Sequence, residues 1–253
     1  MQNIFDGALA LIIYFVVAAS TALACRVLIR IPDELFRKTL HCILLGSLLV
    51  FVFGFGVWWH AALSAVIFAA VVYPVLAWFE HFKGFSELTT ERRCGELKES
   101  LLLVFGMFAT VIAVCWGWLG DKYLVLASIY AWGFGDAAAA LVGKKWGTHK
   151  ISVGHVDHHK SMEGSVAMFL VSFISVAIIL LFRGGLSIAG YIVVPIVTAF
   201  FSALAELYSK DGHDTVICPL SAMAVLLPLI HLFGGPAWII KSPEAEHFCG
   251  RSS

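Results

Sequence analysis

The chain alternates between long apolar runs and short polar breaks. Eight runs reach the roughly 20 predominantly apolar residues that a membrane-crossing helix needs. They cover about 7–25, 39–57, 60–79, 100–119, 122–143, 163–182, 187–206 and 216–235. The pattern predicts an all-α polytopic membrane protein of about eight transmembrane helices. Residues 1–235 then form one transmembrane domain, and 236–253 a short tail of mixed composition. The first run has no Lys or Arg before it, so it lacks the basic flank of a cleavable leader and reads as a retained span.

Composition agrees with this reading. Of 253 residues, 60% are hydrophobic and 13% charged, about half the charged share of soluble domains. The net charge is zero, which removes the bulk field that would draw nucleic acid. Six cysteines stand singly and read as small buried hydrophobes, with no metal or disulfide spacing. Charge becomes informative once it is mapped onto the spans. Thirteen of the 17 Lys and Arg follow the first, third, fifth and seventh runs, and only Lys122, Arg183, Lys241 and Arg251 fall on the other side. The positive-inside rule therefore puts both termini outside and the polar loops in the cytosol.

The stretch from Tyr130 to Phe169 stands apart from the other spans and their loops. An acid, Asp136, interrupts an apolar run among small residues: Gly133, Gly135, Ala137 to Ala140 and Gly143. Small residues at helical spacing let helix backbones approach, so packing accounts for them. It does not account for Asp136, because a carboxylate in a span is costly and is usually functional. The following loop supplies Lys144, Lys145, Lys150 and Lys160, and Lys160-Ser-Met-Glu163-Gly164 opens the next span. Ser161 can cap that helix, and the amides there would bind phosphate beside Lys160. Lys144 adds positive charge for a nucleotide. His149, His155, His158 and His159 lack cysteine partners and read as solvated or phosphate-adjacent rather than as zinc ligands. No GxxxxGK[ST] is present, so this is not a Walker loop.

Two further polar groups return to the same face. Arg37, Lys38 and His41 open the second span, and His41 sits deep enough for its ring to be costly there. Glu206, Asp211 and Asp214 lie around the turn after the seventh span. Carboxylates together with phosphate oxygens are the usual way of holding Mg²⁺. At the opposite face, Trp58 and Trp59 read as an interfacial belt, His60 as a solvated turn residue, and Arg183-Gly-Gly as a turn.

Taken together, GDAAAALVGKKWG, KSMEGSVAMF, RKTLH and DGHDTVICPL resemble the polyprenol kinase family, which includes dolichol, phytol and farnesol kinases and CTP-dependent diacylglycerol kinases. The likeness touches the chain from Arg37 to Pro219. It implies a catalytic domain over 1–235, with CTP and Mg²⁺ serving the transfer of a γ-phosphoryl group to a polyprenol, isoprenoid alcohol or diacylglycerol held in the membrane. It also implies roles for Arg37, Lys38, Asp136, Gly143, Lys160, Ser161, Glu163 and Gly164. Asp136 with Asp214 would hold the metal, and Asp136 or Glu163 would take the alcohol's proton. Asp214 matches the acid of a late Asp-Asn pair, although Thr215 stands where the Asn is expected. Glu163 matches dolichol- and diacylglycerol-kinase-like members, whereas phytol kinases tend to carry a small residue there, which leans the reading away from phytol. The related phosphatidate cytidylyltransferases supply the alternative, a CDP-diacylglycerol synthase, and a small-solute transporter is a lesser one. The membrane would be the plasma membrane of a bacterium or the endoplasmic reticulum of a eukaryote. Nothing in the chain indicates an oligomeric state.

Overall fold

The computed structural model describes residues 4–29, 31–81, 95–151, 160–209 and 213–234. The polar segment 82–94, His155, His158, His159, Asp211 and the 236–253 tail lie outside them. Eight helices among the described residues are long and apolar enough to cross a membrane, and no strand is present among them. We number them α1 (Ile4–Ile29), α2 (Asp33–Phe53), α3 (Trp58–Phe79), α4 (Glu96–Val111), α5 (Lys122–Trp146), α6 (Met162–Arg183), α7 (Ile188–Tyr208) and α8 (Asp214–Phe233). α4 continues without a break into a π-helical stretch, Ile112–Trp118.

α5 is the centre of the bundle. Its residues 124–133 are all buried, as befits a helix apolar on every side. α1 is the opposite case, with only Gly7, Leu11 and Ala22 buried. Large apolar side chains at the periphery, such as Phe5, Leu28 and Ile188, are more than 80% exposed. A patch of that extent needs a nonaqueous partner, and lipid supplies it for an integral membrane protein.

Helix direction decides which groups meet. The turns at one end are short: 54–57, 119–121 and 184–187. Gly184 and Gly185 hold φ of +72° and +75° in the last of these, a left-handed backbone that suits glycine. Ser187 N–H donates to the Phe233 carbonyl at 3.1 Å, tying the same turn to the end of α8. His60 corrects the expectation of a solvated ring. It is half-buried against Trp59, and its Nδ1 is buried with no partner among the described residues. At the other end lie the starts of α2, α6 and α8 and the ends of α5 and α7. That end collects Lys38, Asp136, Lys160, Glu206 and Asp214.

Candidate active site

Asp136 faces the start of α2. Lys38 Nζ donates to its Oδ2 at 2.7 Å, and both side chains are under one-fifth exposed. One turn further along α2, His41 Nε2 donates to the Gly133 carbonyl at 3.0 Å and lies 4.0 Å from the same Asp136 oxygen. The His41 ring packs edge-on to Trp132 with centroids 5.0 Å apart. α2 and α5 come close together at Gly133, where a methyl would overlap Leu45 of α2.

Lys160, just before α6, reaches across to α7. Its ammonium lies 3.1 Å from Glu206 Oε1 and donates to the carbonyls of Glu206 and, at 2.9 Å, Ser209. A cation at a helix C-terminus satisfies carbonyls that lack helical partners. Lys160 therefore caps α7 and holds Glu206 toward α8. Asp214, in the first turn of α8, is close enough for its charge to act on Asp136, Lys38, Lys160 and Glu206. Three acids and two lysines from five elements thus form one electrostatic cluster.

A second, more exposed group lies beside it. Glu34 Oε2 is 3.6 Å from both Arg37 and Lys144, so it bridges the expected phosphate-binding cations of α2 and α5. Glu34 stands in the first turn of α2, where an acid also suits the helix dipole. Two charges across the bridge, i and i+3 apart on α2 for Glu34 and Arg37, were the available signal.

Ser161 caps α6, as its place in the sequence predicts, accepting from Gly164 N–H at 3.2 Å, and two neighbouring amides have backbone partners. Met162 N–H donates to the His149 carbonyl at 3.0 Å and Ser165 N–H to the Ser161 carbonyl at 3.1 Å. Glu163 turns outward onto the preceding loop, accepting from Thr148 Oγ1 at 2.6 Å and His149 Nδ1 at 2.7 Å. Gly143 and Gly164 mark the crossing of α5 and α6. A methyl on Gly164 would lie 3.0 Å from the Ala139 carbonyl oxygen and 3.5 Å from Gly143 Cα. The small-residue stripe is accounted for by this packing.

Metal fit follows from the donor set. Among the described residues no three His, Cys, Asp or Glu side chains converge closely enough to hold an ion by themselves. Asp136, Asp214 and Glu206 offer oxygen donors alone, so an ion held by any of them would take most of its ligands from phosphate and water, which is the habit of Mg²⁺.

Fold and site together define an integral membrane protein with a charged centre gathered at one end of its helices. Within that class the chain is similar to a phytol kinase from Synechocystis sp., with 29% identity over 198 residues, covering 77% of this chain and 78% of the relative. The resemblance to the polyprenol kinase family is borne out by this similarity. The relative's named alcohol is phytol, the one that Glu163 leaned against. No family model matches the chain, and no solved structure matches it.

Proposed function

We propose that the protein is a lipid-alcohol kinase that transfers the γ-phosphoryl group of CTP to an alcohol embedded in the membrane, at the cytosolic face. The observation that carries the reading is the cluster of Asp136, Asp214 and Glu206 interleaved with Lys38 and Lys160. Phosphoryl transfer asks a protein mainly for positioning and charge neutralisation. The lysines, with Arg37 and Lys144 beyond them, suit a nucleotide triphosphate. Asp136 and Asp214 would hold Mg²⁺, which supplies charge neutralisation on the phosphates when bound. The alcohol oxygen attacks the γ-phosphorus, the bond to the β-phosphate oxygen breaks, and CDP leaves. Proton loss from the hydroxyl is late in a loose transition state, so a carboxylate of the cluster suffices to receive it. Asp136 is the acid one helical turn from buried, membrane-level side chains and suits that role. CTP as donor rests on the family resemblance, and the cytosolic face on the lysine and arginine distribution.

The test is purified protein with Mg²⁺, γ-labelled CTP or ATP, and phytol, farnesol, dolichol or diacylglycerol. Label in the lipid, lost in Asp136→Asn, supports the reading and names the acceptor. Pyrophosphate release with phosphatidate, and no labelled lipid, would replace it with the cytidylyltransferase.

A further inference from the structure

Polar groups at the contact between α2 and α5 find partners, with one exception. Tyr130 Oη donates to the Leu45 carbonyl at 3.1 Å, His41 to the Gly133 carbonyl, and Lys38 to Asp136. Ser128, also on α5, bonds back to the Leu124 carbonyl at 2.8 Å. Trp132 is only 2% exposed, and its Nε1–H has no partner among the described residues. An indole has no route back to its own helix carbonyls, and it can only donate. A buried donor left unmatched in a membrane interior destabilises the fold, and such an exception calls for a cause.

Its position suggests one. Trp132 precedes Asp136 by four residues, so the two share a face of α5. It lies about one turn, roughly 6 Å, nearer the middle of the membrane. In the kinase reading, a lipid alcohol reaches the charged cluster from the bilayer side, so its hydroxyl passes that level. A hydroxyl has lone pairs to accept from an indole N–H while its own proton points to a carboxylate.

Building on the kinase reading, we propose that Trp132 Nε1–H is the hydrogen-bond donor that binds the acceptor alcohol's oxygen and turns its proton toward Asp136. The indole is covered in this arrangement, so admitting the hydroxyl requires a neighbouring side chain to give way, and the His41 ring packed edge-on against it is one that borders it. The site recognises one oxygen acceptor at the head of an apolar chain, so it takes an alcohol and also an ether that can only accept.

The experiment uses the full-length protein in detergent and compares the wild type with Trp132→Phe. The expected result is a lipid-alcohol KM raised about tenfold, a nucleotide KM within twofold of wild type, and an unfolding midpoint equal or higher, because the variant removes an unmatched donor. An unchanged lipid KM, or equal shifts in both KM values, would overturn the assignment. A second measurement needs no variant: the methyl ether of the accepted alcohol should inhibit the wild type about tenfold better than the matching hydrocarbon. Equal inhibition by the two overturns the proposal even where Trp132→Phe does not fold. If the wild type phosphorylates no lipid alcohol at all, the kinase reading itself fails. If it turns over but Trp132→Phe behaves as wild type, only this assignment fails.

Discussion

Two carboxylates join α5 to its neighbours through an ion pair, one at each end of the buried stretch. Asp121, just before α5, lies 2.5 Å from Arg183 Nε, and Asp136 lies 2.7 Å from Lys38 Nζ. The four side chains are similarly shielded, between 11% and 18% exposed. Their surroundings differ. Asp121 also caps α5, accepting from Tyr123 N–H at 2.9 Å, and Arg183 also donates to the Gly184 carbonyl at 3.0 Å. Lys122 beside them sits over the Trp116 ring. Asp121, Lys122 and Arg183 each have a fold-building partner. Around Asp136 there are two more acids, a second lysine, a histidine at 4.0 Å and an unmatched indole N–H. A half-buried ion pair is thus weak evidence of function, and the crowding of further ionisable groups around one of them, with one acid more than the lysines, is the stronger sign.

The sharpest way to break this comparison is to neutralise both acids in turn. Asp136→Asn should lower turnover about 1000-fold, since it removes charge where the phosphates and metal would be held, while the protein still elutes as a folded species. Asp121→Asn should do the reverse. It keeps a capping oxygen for Tyr123 N–H but leaves Arg183 without its carboxylate, costing about 2 kcal/mol in denaturant unfolding, with turnover per folded molecule within about threefold of wild type. If the two outcomes changed places, the site would be at the wrong end of α5.

Much of this architecture was legible in the sequence, because lipid makes the apolar runs long and the breaks sharp. All eight spans, the Arg183-Gly-Gly turn and the Ser161 cap appear where the residue pattern put them. The site was legible only as a set of residues. That Lys160 would cap α7 through Glu206 depends on how α6 and α7 cross, which no local pattern records. The hydrogen bonds of Glu163 were hidden for a related reason: its partners Thr148 and His149 lie some 15 residues back, across a loop. Trp132 read as one more apolar residue, since only the finished packing shows whether an indole N–H is matched.

Smaller changes sharpen the boundary between packing and chemistry. Gly164→Ala should cost about 2 kcal/mol and lower turnover about tenfold, because the methyl meets the Ala139 carbonyl oxygen and pushes α6 away from the helix bearing Asp136. Unfolding and turnover measured on one preparation check both. Glu163→Gln keeps an acceptor for Thr148, so kcat should stay within about threefold of wild type. A hundredfold fall in kcat would instead make Glu163 the group that takes the alcohol's proton.

The smallest effect is expected at Lys144. Its side chain is 68% exposed and 3.6 Å from Glu34, a surface pair of little energetic weight. Lys144→Gln should leave stability within about 0.5 kcal/mol of wild type. As a cation at the rim of a nucleotide site it acts through solvent, so the nucleotide KM should rise about twofold at low ionic strength. In 0.5 M salt that difference should vanish, because exposed charges are screened over a few ångströms there. Lys38, with 12% of its side chain exposed and 2.7 Å from Asp136, is shielded from salt, so the effect of Lys38→Gln should persist at both ionic strengths. A salt-independent defect in Lys144→Gln would place its ammonium in direct contact with phosphate and move the edge of the site outward from Asp136 to the end of α5.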